Sequence, residues 1–240
     1  MKLQRFYIGQ KVGEGKEITL TDFELINQLG KVFRFHTGDK VILFDGSGFE
    51  YEAEIVGLNK KEVNFRIISH SAKATRDKSV SLYLSLIKKG NFELAVEKCT
   101  EIGVTEIHPI VSERSEKKGL NLERLNKIVK EASEQSGRVT LPQVFDIVSL
   151  EEAVSQVIKG GKNVVVFHTV SDHLPSQTQD SSLEKAEKAE VATFVGPEGG
   201  FTDKEIELFK NCGFQISSLG SNILRAETAA MVAVWEAVNN

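Results

Sequence analysis

Apolar and polar positions change rhythm once along the chain, near residue 73. Before that point they come in short alternating runs. KVILFDG (40–46) and FEYEAEIVG (49–57), separated by the turn Asp45-Gly46-Ser47-Gly48, predict a hairpin, and EVNFRIIS (62–69) a further strand. TDFELINQLG (21–30) reads as one helix. Thr21 and Glu24 have capping-box spacing there, and Gly30 stands where a C′ glycine belongs. Short strands with one helix predict a small β-barrel over residues 1–72.

From the charged connector KATRDK (73–78) onward, the pattern is one of strands alternating with helices. VSLYLSLI (80–87) is a continuous apolar run, as in a strand buried on both faces of a parallel sheet. FELAVEKCTEI (92–102) reads as a helix capped by Asn91 and ended by Gly103. EIHPIV (106–111) is a strand, and LERLNKIVKEASEQS (122–136) a helix stopped by Gly137. After a short segment at PQVF (142–145) come helix LEEAVSQVI (150–158) and strand NVVVFHT (163–169). Residues 171–189 are polar and charged, and read as a surface loop or a partly disordered excursion. Strand VATFVG (191–196), helix TDKEIELFKNCG (202–213), strand FQISSLG (214–220) and helix LRAETAAMVAVWEAV (224–238) complete an α/β domain over residues 73–240.

Composition narrows the class. With 40% hydrophobic and 27% charged residues among 240, the chain can bury a globular core. No apolar run reaches the roughly 18 residues of a membrane span, and MKLQRFYIGQ lacks a signal-peptide core. A cytoplasmic protein without membrane partners is expected. Cys99 and Cys212 form no CxxC pair, so two reduced core thiols are expected, with neither disulfide nor metal site. The net charge of −4 divides unevenly. Residues 1–73 hold 11 Lys+Arg and 10 Asp+Glu, a net +1, and the remainder carries −5. RNA contact needs only a local basic face, and this balance predicts a small electrostatic footprint.

The common doubly wound nucleotide-binding folds place a GxGxxG loop after their first strand. Here KKGNFE follows, with a single glycine. Glycine gathers late instead. In VATFVGPEGGFTDKEIELF, Gly196, Gly199 and Gly200 lie between a buried strand and a helix. Thr202 and Glu205 there have capping-box spacing. SLGSNILRAETAAMVAVW repeats strand, glycine turn (Gly220) and helix, with Arg225 and Glu227 reading as a solvated pair at the helix start. Ala226, Ala229, Ala230 and Ala233 suit close packing in the core or against a partner subunit. Either segment alone could be an ordinary turn. At neighbouring strand ends of one sheet they mark a ligand crevice.

At these residues FVGPEGGFTDKEI and LGSNILRAETAAM resemble the RsmE family, the 16S ribosomal RNA uracil-N3 methyltransferases of the SPOUT superfamily. The likeness continues in KVFRFHTGDKVILFDGSG, KCTEIGVTEIHPIVSERS and EASEQSGR, so it spans nearly the whole chain. It implies a PUA-like barrel followed by a SPOUT domain, with a trefoil-knotted parallel sheet carrying helices on both faces. It implies a homodimer that takes S-adenosyl-L-methionine as methyl donor and 16S ribosomal RNA or the small ribosomal subunit as substrate. Carried over by position, Phe167, His168 and Thr169, the loop Gly196, Pro197, Glu198, Gly199 and Gly200, and Leu219, Gly220, Ile223, Leu224, Arg225 and Thr228 should line the cofactor. Two positions depart from the family. It often has Glu where this chain has Thr169, and Arg where it has Asn222, which leaves open an altered activity or target.

Methylating N3 of uracil requires an aligned acceptor and loss of the N3 proton, and alignment alone can contribute several of the roughly 7–11 kcal/mol available to well-oriented reactions. A cation near the carbonyl oxygens would stabilise the ionised base. Arg225 is the candidate for that role, and Glu198 and His168 are candidates for the base, with Glu198 alternatively fixing its own loop. Arg5 and Arg34 in the barrel, Lys73 and Arg76 in the connector, and Arg114 and Arg138 beside the pocket are the expected RNA contacts. The rival reading is a non-catalytic RNA- or ribosome-binding assembly factor, which would not bind S-adenosylmethionine.

Overall fold

The computed structural model describes residues 3–13, 15–73, 78–116, 119–169 and 190–240. The polar stretch 171–189 and Arg76 lie outside the described residues. The chain divides into two compact units, Met1–Thr75 with Ser133–Leu141, and Arg76–Ala132 with Pro142–Asn240.

The first unit contains strands β1 (Arg5–Tyr7), β2 (Glu17–Leu20), β3 (Lys40–Phe44), β4 (Phe49–Leu58) and β5 (Val63–Ala72), and helix α1 (Phe23–Asn27). The strands pair in the order β1-β3-β4-β5-β2. The expected hairpin β3–β4 is antiparallel, with Lys40 opposite Glu54 and Phe44 opposite Glu50. Phe6, Leu25, Leu29, Val41, Leu43, Ile55 and Phe65 form its core. The helix begins one residue later than expected. Asp22, not Thr21, accepts the Leu25 N–H, at 3.1 Å. Nor does it stop at Gly30. The backbone widens into a π-helical turn over Gln28–Val32, closed by Phe33 N to Gln28 O at 3.0 Å, and Leu29 inside that turn is fully buried. Burial of Leu29 accounts for the extra turn.

The second unit contains a parallel sheet built from β6 (Val80–Ser85), β7 (Glu106–Val111), β8 (Gln143–Val144), β9 (Val148–Ser149), β10 (Asn163–Phe167), β11 (Val191–Val195) and β12 (Gln215–Ser217). Its order is β12-β10-β11-β6-β7-β8, with β9 pairing β7. Every residue of β6 and β11 is buried, as their unbroken apolar character requires. Helices α2 (Lys89–Ile102), α4 (Leu150–Gly160), α5 (Asp203–Asn211) and α6 (Ala226–Asn239) cover the sheet, and α3 (Leu122–Ser136) precedes β8. Leu150, Val154, Ile206 and Phe209 of α4 and α5 pack with Tyr83, Val166 and Phe194 of the sheet on one face. Helices α2 and α6 pack together, and α6 lies against β6 and β11. Helix α2 starts at Lys89, not after Asn91, and has no side-chain cap. Gly103 (φ 129°) and Gly137 (φ 80°) follow α2 and α3, as expected. Cys99 is buried and Cys212 partly so, and both are free thiols. Among the described residues no helix is long and apolar enough to cross a membrane, and no three His, Cys, Asp or Glu side chains gather as a metal site would need.

Candidate active site

Strands β12, β10 and β11 are consecutive in the sheet and parallel. Their carboxyl ends therefore bring residues 168–169, 196–202 and 218–225 to one edge, where open α/β sheets hold ligands. The two glycine segments meet there through the strand-end tripeptide. The His168 N–H donates to Ser217 O at 3.0 Å, and a Cβ placed on Gly200 would lie 3.7 Å from His168 Cε1.

The loop after β11 is tightly shaped. Gly200, at φ +67°, donates its N–H to Pro197 O at 2.8 Å and closes a turn. A Cβ on Gly196 would sit 3.1 Å from Phe201 N and 3.3 Å from Gly200 C, so only glycine fits without moving backbone. Thr202 caps α5 in a full capping box with Glu205. Glu205 is buried. Its Oε2 accepts the Thr202 N–H at 2.7 Å and its Oε1 the Glu113 N–H at 2.8 Å. Arg114 Nη1 donates to Gly199 O at 2.7 Å. The glycine loop is thus tied to the segment that follows β7.

Glu198 is exposed, and its Oε1 accepts the Lys88 N–H at the entrance of α2, at a long 3.4 Å. This geometry holds the loop. His168 is half-buried; burial lowers its pKa below 6.5, Asp203 opposes the shift, and Arg114 and Lys210 add to it. The imidazole is therefore neutral at pH 7. Phe167 is buried and Thr169 exposed. In the third loop Leu219 and Leu224 are partly buried, Gly220 adopts φ +116°, and Ile223 is 87% exposed. Asn222 and Thr228 are also exposed. Arg225 is the N-cap residue of α6, and its exposed side chain makes no hydrogen bond or ion pair among the described residues.

Glu227 corrects an expectation. It is buried at 6% exposure, not solvated, and its Oε2 has no hydrogen-bond partner among the described residues. At the second position of α6 it lies where the helix dipole favours an anion. Glu113 and Lys88, which brace the glycine loop, had no signal in the sequence, because only the sheet order makes them neighbours.

The expected RNA contacts fall into two groups. Arg5 is taken out of the candidates. Its side chain is 8% exposed, its Nη1 pairs with Glu50 at 2.6 Å, and its Nη2 donates to Arg138 O at 3.2 Å. Lys73 donates to Gly137 O and pairs with Glu50, both at 3.2 Å, while remaining partly exposed. Arg138 Nε donates to Thr140 O at 3.2 Å. Arg34 is exposed, at φ +56°. Arg114 is exposed and bonded to the glycine loop as described.

Residues 75–237 match the RNA methyltransferase domain family, and residues 20–68 match the RNA methyltransferase PUA domain family. The ribosomal RNA small subunit methyltransferase E of Rickettsia conorii is 31% identical over 98% of this chain and 94% of its own length. The chain belongs to the ribosomal RNA small subunit methyltransferase E family. The Bacillus subtilis member is 29% identical over 97% of this chain and 94% of its own. Among solved structures, the Neisseria gonorrhoeae member bound to S-adenosyl methionine superimposes with a TM-score of 0.84 at 28% identity, covering 97% of this chain and 95% of that one. A methyltransferase from Legionella pneumophila, in complex with the same cofactor, has a TM-score of 0.82 at 28% identity over 98% and 96%.

Proposed function

We propose that this chain transfers a methyl group from S-adenosyl-L-methionine to N3 of a uridine in 16S ribosomal RNA of the small subunit, acting as a cytoplasmic homodimer. The observation that carries the reading is the convergence of three loops at consecutive strand ends, one of them closed so tightly at Gly196 that a Cβ would lie 3.1 Å from Phe201 N. The missing side chain at Gly196 lets the loop close on itself at the strand end. Family membership and the cofactor-bound relatives support the same assignment. A strand order in which the last strand, β12, returns beside β10 accords with a knotted C-terminal segment.

Phe167, His168, Thr169, Gly196, Pro197, Gly199, Gly200, Leu219, Gly220, Ile223, Leu224, Arg225 and Thr228 would hold the cofactor. When bound, it supplies a methyl group activated by a sulfonium. The chain's own residues hold the loops, exclude water and stabilise charge. Arg225, uncommitted among the described residues, stabilises negative charge on the carbonyl oxygens of a uracil whose N3 proton has passed to solvent. Each unit by which it lowers the uracil pKa is worth about 1.4 kcal/mol. Glu198 positions the glycine loop through the Lys88 N–H, and His168 stays neutral beside it. Arg34, Lys73, Arg76, Arg114 and Arg138 supply the RNA contacts.

Calorimetric titration with S-adenosylmethionine should show micromolar binding; none would leave the assembly-factor reading. Arg225→Ala should lower turnover on 30S subunits far more than cofactor affinity. Turnover near wild type would remove Arg225 from catalysis. Mapping methylated uridines in 16S ribosomal RNA with and without the protein tests the position of the methyl group.

A further inference from the structure

Helix α6 begins with a carboxylate that its surroundings leave unanswered. Glu227 is 6% exposed, and its Oε2 is buried without a hydrogen-bond partner among the described residues. Taking a carboxylate out of water without donors is costly, and such a group calls for a ligand that supplies one. The other carboxylates of the site are committed. Glu205, also buried, accepts the N–H groups of Thr202 and Glu113 on its two oxygens. Glu198 is exposed and accepts the Lys88 N–H.

The topology places Glu227 at the site. β12 ends at the edge that gathers the three loops, and α6 starts from there and packs along β11 and β6. Glu227 is the second residue of α6, on the inward face it shares with Ala230 and Val234. Helical side chains lean toward the N-terminus of their helix, so its carboxylate reaches back over the first turn. That turn is otherwise open. Arg225 supplies no side-chain cap, and the N–H groups of Ala226, Glu227 and Thr228 have no acceptor among the described residues. The segment leading into it is held by little. No backbone N–H of residues 219–225 has a backbone acceptor among the described residues, so a ligand can displace it.

A uracil presents one donor, N3–H, between two carbonyl acceptors. The first turn of α6 offers the complement, an unanswered acceptor in Glu227 Oε2 beside open N–H donors and the Arg225 guanidinium. The two bases read from sequence, Glu198 and His168, stand on other loops. We propose that Glu227 is the base that takes the N3 proton of the target uracil. This rests on the methyltransferase reading above. The N3–H bond breaks toward Oε2, and its electron pair stays on the ring, spread over O2 and O4 beside Arg225. N3 then bonds to the methyl carbon as the carbon–sulfur bond breaks, and that pair stays on sulfur as a neutral thioether. Glu227 passes the proton to solvent when the product leaves.

The test is methyl transfer to 30S subunits by the full chain, Glu227→Gln and Glu227→Asp, with S-adenosylmethionine calorimetry and thermal melts of each. Glu227→Gln keeps the size and removes the charge. It should lower kcat about a hundredfold, with KM and cofactor Kd within about threefold of wild type. Its melting temperature should equal or exceed wild type, because a buried charge without a partner is gone. Glu227→Asp should keep more turnover than Glu227→Gln. Subunits assembled from RNA carrying 5-fluorouridine, whose fluorine makes N3 more acidic, should return about tenfold of the Glu227→Gln loss. Glu227→Gln turnover within about threefold of wild type, or no gain from 5-fluorouridine, would overturn the proposal. So would a loss of cofactor affinity as large as the loss of turnover, since the carboxylate would then hold the cofactor. A melting temperature well below wild type would make Glu227 a structural brace and overturn it too. Wild type that transfers no methyl group to uridine sinks the function proposed above; wild-type transfer that Glu227→Gln matches sinks only the role of Glu227.

Discussion

Gly196 and Gly199 sit three residues apart in one loop, yet a methyl group meets different things at each. On Gly196 it would press on backbone, 3.1 Å from Phe201 N and 3.3 Å from Gly200 C. On Gly199 it would press on Arg114 Cδ at 3.2 Å, a side chain that can swing away. Gly196→Ala should therefore cost about 1–3 kcal/mol of stability and at least tenfold in cofactor affinity, while Gly199→Ala stays within about threefold of wild type. Calorimetry with S-adenosylmethionine separates them, and equal losses would sink the packing argument. His168 adds a pH dependence. Its folded pKa is pushed below 6.5 by burial, so the unfolded chain takes up the proton first. The stability contributed is whole above 6.5 and lost as pH falls through the folded value. His168→Gln should flatten the fall in melting temperature between pH 7.5 and 5.5; a slope equal to wild type would mean that the ring titrates normally.

Across the sheet the same logic operates between strands. Phe194, Tyr83 and His108 are register partners on β11, β6 and β7, and their rings stack at 4.5 and 4.3 Å, with Phe145 continuing the row at 4.1 Å. Burial and the nearby Glu106 raise the Tyr83 pKa to about 12. Below the row, Glu106 Oε2 accepts from His108 Nε2 (3.1 Å), Lys162 Nζ (2.6 Å) and Ser81 Oγ (2.7 Å), joining β7, β6 and the entrance of β10. The His108 hydrogen bond, then Lys162 and Ser81, hold its carboxyl far below 4.5 against the opposing effect of burial. Because the folded pKa is depressed, the stabilisation is complete above 4.5 and is lost progressively as pH falls from there through the folded value. Glu106→Gln should cost about 1–3 kcal/mol in urea unfolding at pH 7, and the gap should narrow at pH 3. A gap independent of pH would show that packing, not charge, is what Glu106 contributes. These elements also mark how far the sequence could be read. Strands β6 and β11, helix α4 and the Thr202 cap were legible because each is written in local periodicity or spacing. The partners of Glu106, the braces at Glu113 and Lys88, and the burial of Glu227 were not, because they depend on which strands become neighbours. The π-helical turn at Leu29 escaped for a similar reason: a tertiary demand for burial overrode a local stop signal.

At the scale of the molecule, α6 is apolar on more sides than its own unit can cover. Ala226, Ala230, Ala233, Val234 and Ala237 are buried, while Met231 and Val232 remain partly exposed and Trp235 is 57% exposed. Thr228, Met231, Val232 and Trp235 follow helical spacing and so form one outer stripe. A helix apolar all round is normally buried, which here requires a second surface. We expect that surface to be another copy of the chain. Sedimentation should then give about twice the 26.6 kDa chain mass, and Trp235→Glu should bring it to the monomer. Large exposed aromatics dominate such interfaces, whereas a rim charge would change association little. The same stripe begins at Thr228, three residues after Arg225, and Ile223 just upstream is 87% exposed. If the partner covers the stripe, it also steadies the loop 220–225 at the cofactor edge. Trp235→Glu should therefore weaken S-adenosylmethionine binding together with association, and raising the protein concentration should recover both. A monomer that binds the cofactor as tightly as wild type would separate assembly from the site, and place the loop's order within a single chain.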